Sequence, residues 1–123
     1  MKELIIKVFL IVILLISPLS FAQGLNKISL LNELNKTYGI VLNEEEKSYF
    51  ESTNNELVTN LFSLDEKKLS KEERDKAVDK LFDKREKSLT SSLGINKYSD
   101  LKITTDEKIK QTIQKVKSSK MEP

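Results

Sequence analysis

The scarcity of helix-breaking residues constrains the fold of this chain more than any other feature of its sequence. Proline is absent between Pro18 and Pro123, and after Gly24 the only glycines are Gly39 and Gly94. Proline interrupts helices because it lacks a backbone donor, and glycine commonly follows their last turn. An all-β domain needs frequent turns rich in these residues. The chain is therefore predicted to fold into a few long helices.

The apolar residues recur every three or four positions, which is the spacing of one face of an α-helix. A first helix is predicted over residues 25–37. Its predicted apolar stripe consists of Leu25, Ile28, Leu31, Leu34 and Tyr38. In the second helix a polar stretch at residues 52–55 interrupts the stripe, and we interpret it as a weakly packed or exposed turn.

Three capping boxes predict where the later helices begin. In this motif a side chain before the helix and a glutamate three residues later satisfy free amides of the first turn. The motif occurs as Asn43 with Glu46, Ser70 with Glu73, and Thr104 with Glu107. Gly94 is predicted to end the third helix. The sequence thus predicts an all-α fold of about four amphipathic helices in a small, open, hairpin-like arrangement.

Residues 1–22 have the layout of a secretory signal peptide. A basic start precedes an unbroken apolar run at residues 8–16, and small side chains at Ser20 and Ala22 fit a cleavage site. A retained membrane anchor is the alternative, but the run is shorter than the roughly 20 apolar residues that span a bilayer. Lipoprotein attachment is excluded because the chain has no cysteine. We expect cleavage, export to the periplasm or beyond the cell, and no stable membrane anchor afterwards.

Removal of the leader is predicted to leave a small helical domain over residues 23–117 and a disordered polar tail over residues 118–123. The sequence has 21 Lys and Arg against 19 Asp and Glu, interspersed along the chain. This distribution argues against nucleic-acid binding, which favours a clustered basic face. Apolar residues are sparse in the mature part. We therefore expect either an open helical arrangement or a partner chain, such as a second copy, that covers part of the apolar stripe.

The absence of His, Cys and Trp restricts the chemistry open to this chain. It removes the imidazole base, the thiolate nucleophile, and the usual ligands of zinc, copper and haem. Asp75, Asp79 and Asp83 recur every four residues, and one interpretation is a site for a hard cation. Lysines alternate with them, so a solvated charged face is the favoured interpretation. We predict a protein that is not an enzyme, with no catalytic residue, cofactor or metal site.

Five aromatic residues are the candidate binding residues. They are Tyr49, Phe50, Phe62, Phe82 and Tyr98. Core packing is the favoured interpretation of these side chains. The alternative is that some of them line an apolar groove, where apolar contacts would hold an unfolded chain and surrounding charges would assist capture and release.

Three segments carry a resemblance to a known family. Residues 42–46, Leu-Asn-Glu-Glu-Glu, stand where the Spy/CpxP-like periplasmic family has Leu-Thr-x-x-Gln, with Asn43 replacing threonine and Glu46 replacing glutamine. Residues 69–74 and the charged helix after them resemble the family's central helix, and residues 93–98 resemble its second motif. The resemblance implies an exported all-α protein, an antiparallel homodimer, and a role as an ATP-independent chaperone or envelope-stress sensor.

Two functions from different classes follow from these observations. The first is an exported, non-enzymatic helical protein that binds unfolded or partner polypeptides, as a holdase-like periplasmic chaperone or a stress modulator. The alternative is a structural or accessory subunit whose apolar stripes pair with one dedicated protein. A small hydrolase is disfavoured because the chain has no histidine.

Overall fold

Four helices and a short strand pair make up the computed structural model, which describes residues 25–119 and 121–122. The helices are α1 (Lys27–Leu34), α2 (Glu44–Leu64), α3 (Lys71–Leu93) and α4 (Ile95–Ser118). Strand β1 (Leu25–Asn26) pairs in parallel with β2 (Met121–Glu122). The prediction of an all-α fold with about four helices is confirmed. The predicted signal peptide lies outside the described residues.

The starts of α2 and α3 are fixed by the capping boxes that the sequence predicts. Asn43 Oδ1 accepts a hydrogen bond from the Glu46 amide at 2.8 Å, and Glu46 Oε1 accepts one from the Asn43 amide at 2.9 Å. Ser70 and Glu73 make the same reciprocal pair at 3.2 Å and 3.1 Å. Both predictions are confirmed. The motif can be predicted from the sequence because it depends only on residues close to one another along the chain.

The three long helices run antiparallel to their neighbours along the chain. An early residue of α3, Arg74, pairs with Asp65 after α2, whereas the later Lys84 pairs with Glu56 in the middle of α2. The same reversal relates α3 and α4, since Asp79 pairs with Lys117 near the end of α4. Within the described residues, no helix is both long enough and apolar enough to cross a membrane.

The core is divided into two clusters along the bundle. The main cluster joins all four helices and comprises Leu30, Leu34, Leu57, Val58, Leu61, Leu64, Val78, Phe82 and Val116. The second cluster lies towards the α3–α4 turn and comprises Phe50, Leu89, Leu93, Tyr98 and Leu101. Burial of a large apolar side chain contributes about 1.5–3 kcal/mol, so these clusters supply the principal stabilisation of the fold.

Helix α4 begins earlier than the sequence predicts. Gly94 ends α3 with a φ of +83°, a backbone conformation that residues other than glycine rarely adopt. Helix α4 starts at the next residue. The predicted start at Thr104 is wrong: its hydroxyl donates to the Leu101 carbonyl at 2.9 Å inside a continuous helix. Burial of Tyr98 and Leu101 extends the apolar face of α4 by more than two turns towards Gly94.

Helix α1 is shorter than predicted, and its buried face shares Leu31 and Leu34 with the predicted stripe but not Ile28 or Tyr38. Asn26 Oδ1 accepts from the Ile28 amide at 2.8 Å and so fixes the start of the helix. Leu30 and Leu34 are buried, whereas Ile28, assigned to the apolar stripe, is 70 % exposed. Tyr38 lies beyond the helix with a φ of +50°, and its side chain is also exposed.

Arg74 contacts the C-terminal end of α4. Arg74 Nε donates to Asp65 at 2.7 Å, and its two Nη atoms donate to the carbonyls of Val116 at 2.8 Å and Ser119 at 2.9 Å. A guanidinium suits this position because the end of a helix leaves carbonyls without partners. Strand β2 pairs with β1 beyond this point, and the disordered tail over residues 118–123 stays a prediction.

Replacing Arg74 by alanine should destabilise the fold by about 1.5–3 kcal/mol, the usual range for hydrogen bonds to a charged group. The C-terminal turn of α4 should also exchange its amide hydrogens faster, because it loses its contact with α3. Urea unfolding and hydrogen-exchange mass spectrometry measure the two effects. Lys71→Ala is the control, since Lys71 is exposed and forms an ion pair with Asp75 of its own helix. Equal effects of the two substitutions would contradict the assigned role of Arg74.

Candidate functional site

The structure separates the five candidate aromatic residues into three environments. Phe50, Phe82 and Tyr98 are buried. Phe62 is half-buried against the main cluster, whereas Tyr49 is 47 % exposed. The fold places Phe50 with Tyr98 in the second cluster, packs Phe62 against the main cluster that contains Phe82, and brings Phe82 and Tyr98 to the same cleft between two facing helices.

This cleft lies between α3 and α4 and has a volume of ≈ 290 Å³. Ile109 and Ile113 of α4 add two half-buried aliphatic side chains to the ring surfaces of Phe82 and Tyr98. The antiparallel packing of α3 and α4 brings these four residues to one cleft. These four side chains form an apolar wall, and the cleft beside it is large enough to accommodate a side chain of another molecule.

The rim of the cleft is charged, but each acidic side chain has a lysine partner. The pairs are Asp79 with Lys117 at 2.8 Å, Asp83 with Lys87 at 3.1 Å, Asp106 with Lys110 at 3.1 Å, and Glu86 with Lys102. Ion pairs between exposed side chains contribute little to stability, about 0–1 kcal/mol. They exchange readily with water and with other charged groups, so the rim can adapt to a bound chain.

A buried polar network lies at the base of the cleft. Arg85 Nε donates to Asn54 Oδ1 at 2.6 Å. Asn54 Nδ2 in turn donates to the Leu34 carbonyl at 3.0 Å and to Asn35 Oδ1 at 2.9 Å. The network thereby joins α3 to α2 and to the last turn of α1, whose terminal carbonyl gains a partner.

The charge of Arg85 is held in a largely apolar environment. The side chain is 7 % exposed, and its guanidinium carbon lies 5.7 Å from the centre of the Phe50 ring, within the range of a cation–π contact. Burial lowers the pKa of Arg85 to about 10, against the favourable influence of Tyr98 and Glu86. Burial also raises the pKa of the Tyr98 phenol above its ordinary value.

Sequence reasoning missed both polar members of this network. The stretch at residues 52–55, predicted to be a weakly packed or exposed turn, contains Asn54, which is fully buried at 0 % exposure. A signal was nevertheless present, because Asn54 lies four residues after Phe50 and three before Leu57, within the apolar stripe. The prediction is confirmed for Ser52 and Asn55, which are exposed, and is wrong for Asn54, because a polar residue within an apolar stripe can be hydrogen-bonded in the core.

The three aspartates considered for a cation site each form an ion pair instead. Asp75 pairs with Lys71 at 3.0 Å, and Asp79 and Asp83 pair with lysines of the rim. Neighbouring positions along α3 therefore carry alternating charges, which is typical of a solvated helix face. The arrangement of the cleft itself suits binding, since it combines an apolar wall with hydrogen-bond donors at its base.

Comparison with known proteins adds no assignment to this geometry. No protein-family model, curated protein sequence or solved structure matches the chain. The resemblance to the Spy/CpxP-like family therefore stays a prediction, and any proposal of function depends on the cleft and its residues.

Proposed function

We propose that this is an exported, non-enzymatic helical protein that binds other polypeptides, as a holdase-like periplasmic chaperone or a modulator of envelope stress. The observation that carries the proposal is the α3–α4 cleft, whose apolar wall of Phe82, Tyr98, Ile109 and Ile113 is accessible from the surface. An extended chain could place an apolar side chain there while its polar groups meet the charged rim. Export is supported by the leader sequence alone.

A second candidate is an accessory subunit with one dedicated partner. Several large apolar side chains outside the cleft are exposed, among them Ile28, Val41, Ile95 and Ile103. A dedicated partner would cover such residues permanently. Co-purification from the native host tests this function, which requires a stoichiometric complex and no activity towards unrelated unfolded proteins.

The chaperone function is tested by suppression of aggregation. The full chain is expressed, the exported product is purified, and its intact mass and solution mass define the processed N-terminus and the oligomeric state. Several unrelated client proteins are then heated or reduced in its presence. We expect light scattering to fall with increasing amounts of the protein. Unchanged aggregation of every client at several-fold molar excess would contradict the proposal.

The cleft is tested by placing a charge on its apolar wall. In the same assay, Ile109→Glu should raise the amount needed for half-maximal suppression about tenfold, which corresponds to the loss of one buried aliphatic contact. Ile103→Glu is the matched control, because Ile103 lies on the same helix outside the cleft and is 77 % exposed. Circular dichroism confirms that both variants fold. Equal activity of the two variants would place client binding elsewhere.

A further inference from the structure

Arg85 differs from every other charged residue that lines the cleft, because no carboxylate of residues 25–119 forms an ion pair with it. The four acidic residues of the cleft each form their ion pair with a lysine. In the part of the chain that the structure describes, Arg85 forms no ion pair, although it is the most buried of these charges. A buried charge without a counter-ion is costly, so a ligand that brings a negative charge to this point would be favoured.

The guanidinium also has hydrogen-bond donors to spare. Arginine carries five N–H donors, and Arg85 uses its Nε for Asn54. Its Nη atoms make no hydrogen bond to any described residue, whereas both Nη atoms of Arg74, the other arginine of the chain, are hydrogen-bonded. The Tyr98 hydroxyl likewise has no partner among residues 25–119 and supplies a further donor in the same cleft.

The space around Arg85 indicates which side can receive a ligand. Arg85 also lines a small pocket between α2 and α3, with a volume of ≈ 30 Å³. A water molecule needs a space of about 10–15 Å³ on the same measure, so that pocket has room for no more than a few waters. The α3–α4 cleft, at ≈ 290 Å³, has room for a carboxylate together with an adjoining apolar side chain.

We propose that Arg85, assisted by the Tyr98 hydroxyl, binds a carboxylate of the polypeptide held in the α3–α4 cleft. The bound segment would carry this carboxylate beside an apolar residue that contacts the aromatic wall. A chain terminus and an acidic side chain both supply such a group. This inference rests on the proposed function of polypeptide binding and adds to it a preference for segments with a negative charge.

Two matched pairs of short fluorescent peptides test the inference and distinguish the two sources. The first pair contains no acidic side chain and differs in a free or an amidated C-terminus. The second pair is amidated and differs in a central glutamate or glutamine. Fluorescence anisotropy measures their affinities. At least one carboxylate peptide should bind about tenfold or more tightly than its neutral partner, as expected for a charge-assisted hydrogen bond in a desolvated site.

Variants then assign the preference to the proposed residues. Arg85→Gln should bring the affinity ratio close to one, and Tyr98→Phe should lower it while preserving the ring. Lys84→Gln is the matched control, because this neighbouring lysine is exposed and lies outside the cleft. A preference that persists in Arg85→Gln would assign it to the rim lysines and overturn the inference.

A measurement on the unsubstituted protein keeps the test valid if Arg85→Gln fails to fold. The chain has two arginines, so its NMR spectrum should contain two Nε–H signals, from Arg74 and Arg85. The Arg85 signal should shift with a binding carboxylate peptide and less with its neutral partner. Equal affinities within both pairs would overturn this inference and leave the proposed function intact. Failure of all the peptides to bind, with no suppression of aggregation, would overturn both.

Discussion

Replacing Asn54 by alanine should destabilise the fold by about 3–5 kcal/mol, because it leaves both a buried charged donor and a buried carbonyl without their partner. The substitution removes the one hydrogen bond that Arg85 makes in the described structure and leaves the Leu34 carbonyl without its side-chain donor. A buried polar group without a partner costs about 1–3 kcal/mol, and more when it is charged. Urea unfolding followed by circular dichroism measures the change.

Asn55→Ala provides the control for this prediction. Asn55 is the next residue of α2 but is exposed, so its substitution should change the stability by no more than about 0.5 kcal/mol. Alanine is also the better helix former, so any small effect should be stabilising. A comparable loss in both variants would mean that the buried network has no special role.

A double-mutant cycle on Asn54 and Arg85 separates two quantities. One is the free energy lost when a single partner is removed, and the other is the contribution of the pair to the free energy of unfolding. Asn54→Leu and Arg85→Met should each be strongly destabilising alone, because each leaves the other polar group buried. The double variant removes both groups and should be more stable than the sum of the single changes predicts, by at least about 1 kcal/mol. Strict additivity would contradict a direct coupling between the two residues.

The sequence predicts those elements whose causes are local. The starts of α2 and α3 depend on a side chain and a glutamate three residues later, and both are found as predicted. The end of α3 depends on Gly94, whose positive φ is a property of that one residue. Such helix ends can be predicted from the sequence because they depend on no contact with a distant residue.

Tertiary contacts decide the elements that the sequence does not predict. The Thr104–Glu107 pair has the composition of a capping box, yet the helix runs through it because Tyr98 and Leu101 are buried against α3. The face of α1 is decided in the same way, by the packing of Leu30 and Leu34 in the main cluster. Local propensity is a weak constraint where burial of apolar side chains acts in the opposite direction.

The candidate site shows the same division between local and tertiary causes. Phe82 and Tyr98 could be proposed from their residue type, but their common cleft depends on the antiparallel packing of α3 and α4. Arg85 lies three residues after Phe82 and four before Leu89, both buried, so its spacing places it in the apolar stripe. Polar residues at such positions are best examined as partners of one another, here Arg85 with Asn54.

Phe50→Ala should destabilise the fold by about 3–5 kcal/mol, as expected when a buried ring is truncated and a cavity remains. Phe50 is 1 % exposed and packs in the second cluster, where its ring also faces the Arg85 guanidinium. The cation–π contact accounts for about 0.5–2 kcal/mol of such a loss. Phe50→Leu retains most of the apolar contact and isolates the contribution of the ring face.

Tyr49→Ala is the matched control for the neighbouring aromatic position. Tyr49 is 47 % exposed and lies outside both clusters, so we expect a change within about 0.5 kcal/mol. Denaturant unfolding of the three variants measures the difference. Because Phe50 supports Arg85 from below the cleft, Phe50→Leu should also weaken the preference for carboxylate peptides, whereas Tyr49→Ala should leave it unchanged. A loss of that preference in Tyr49→Ala alone would move the binding surface from the α3–α4 cleft to the exposed face of α2.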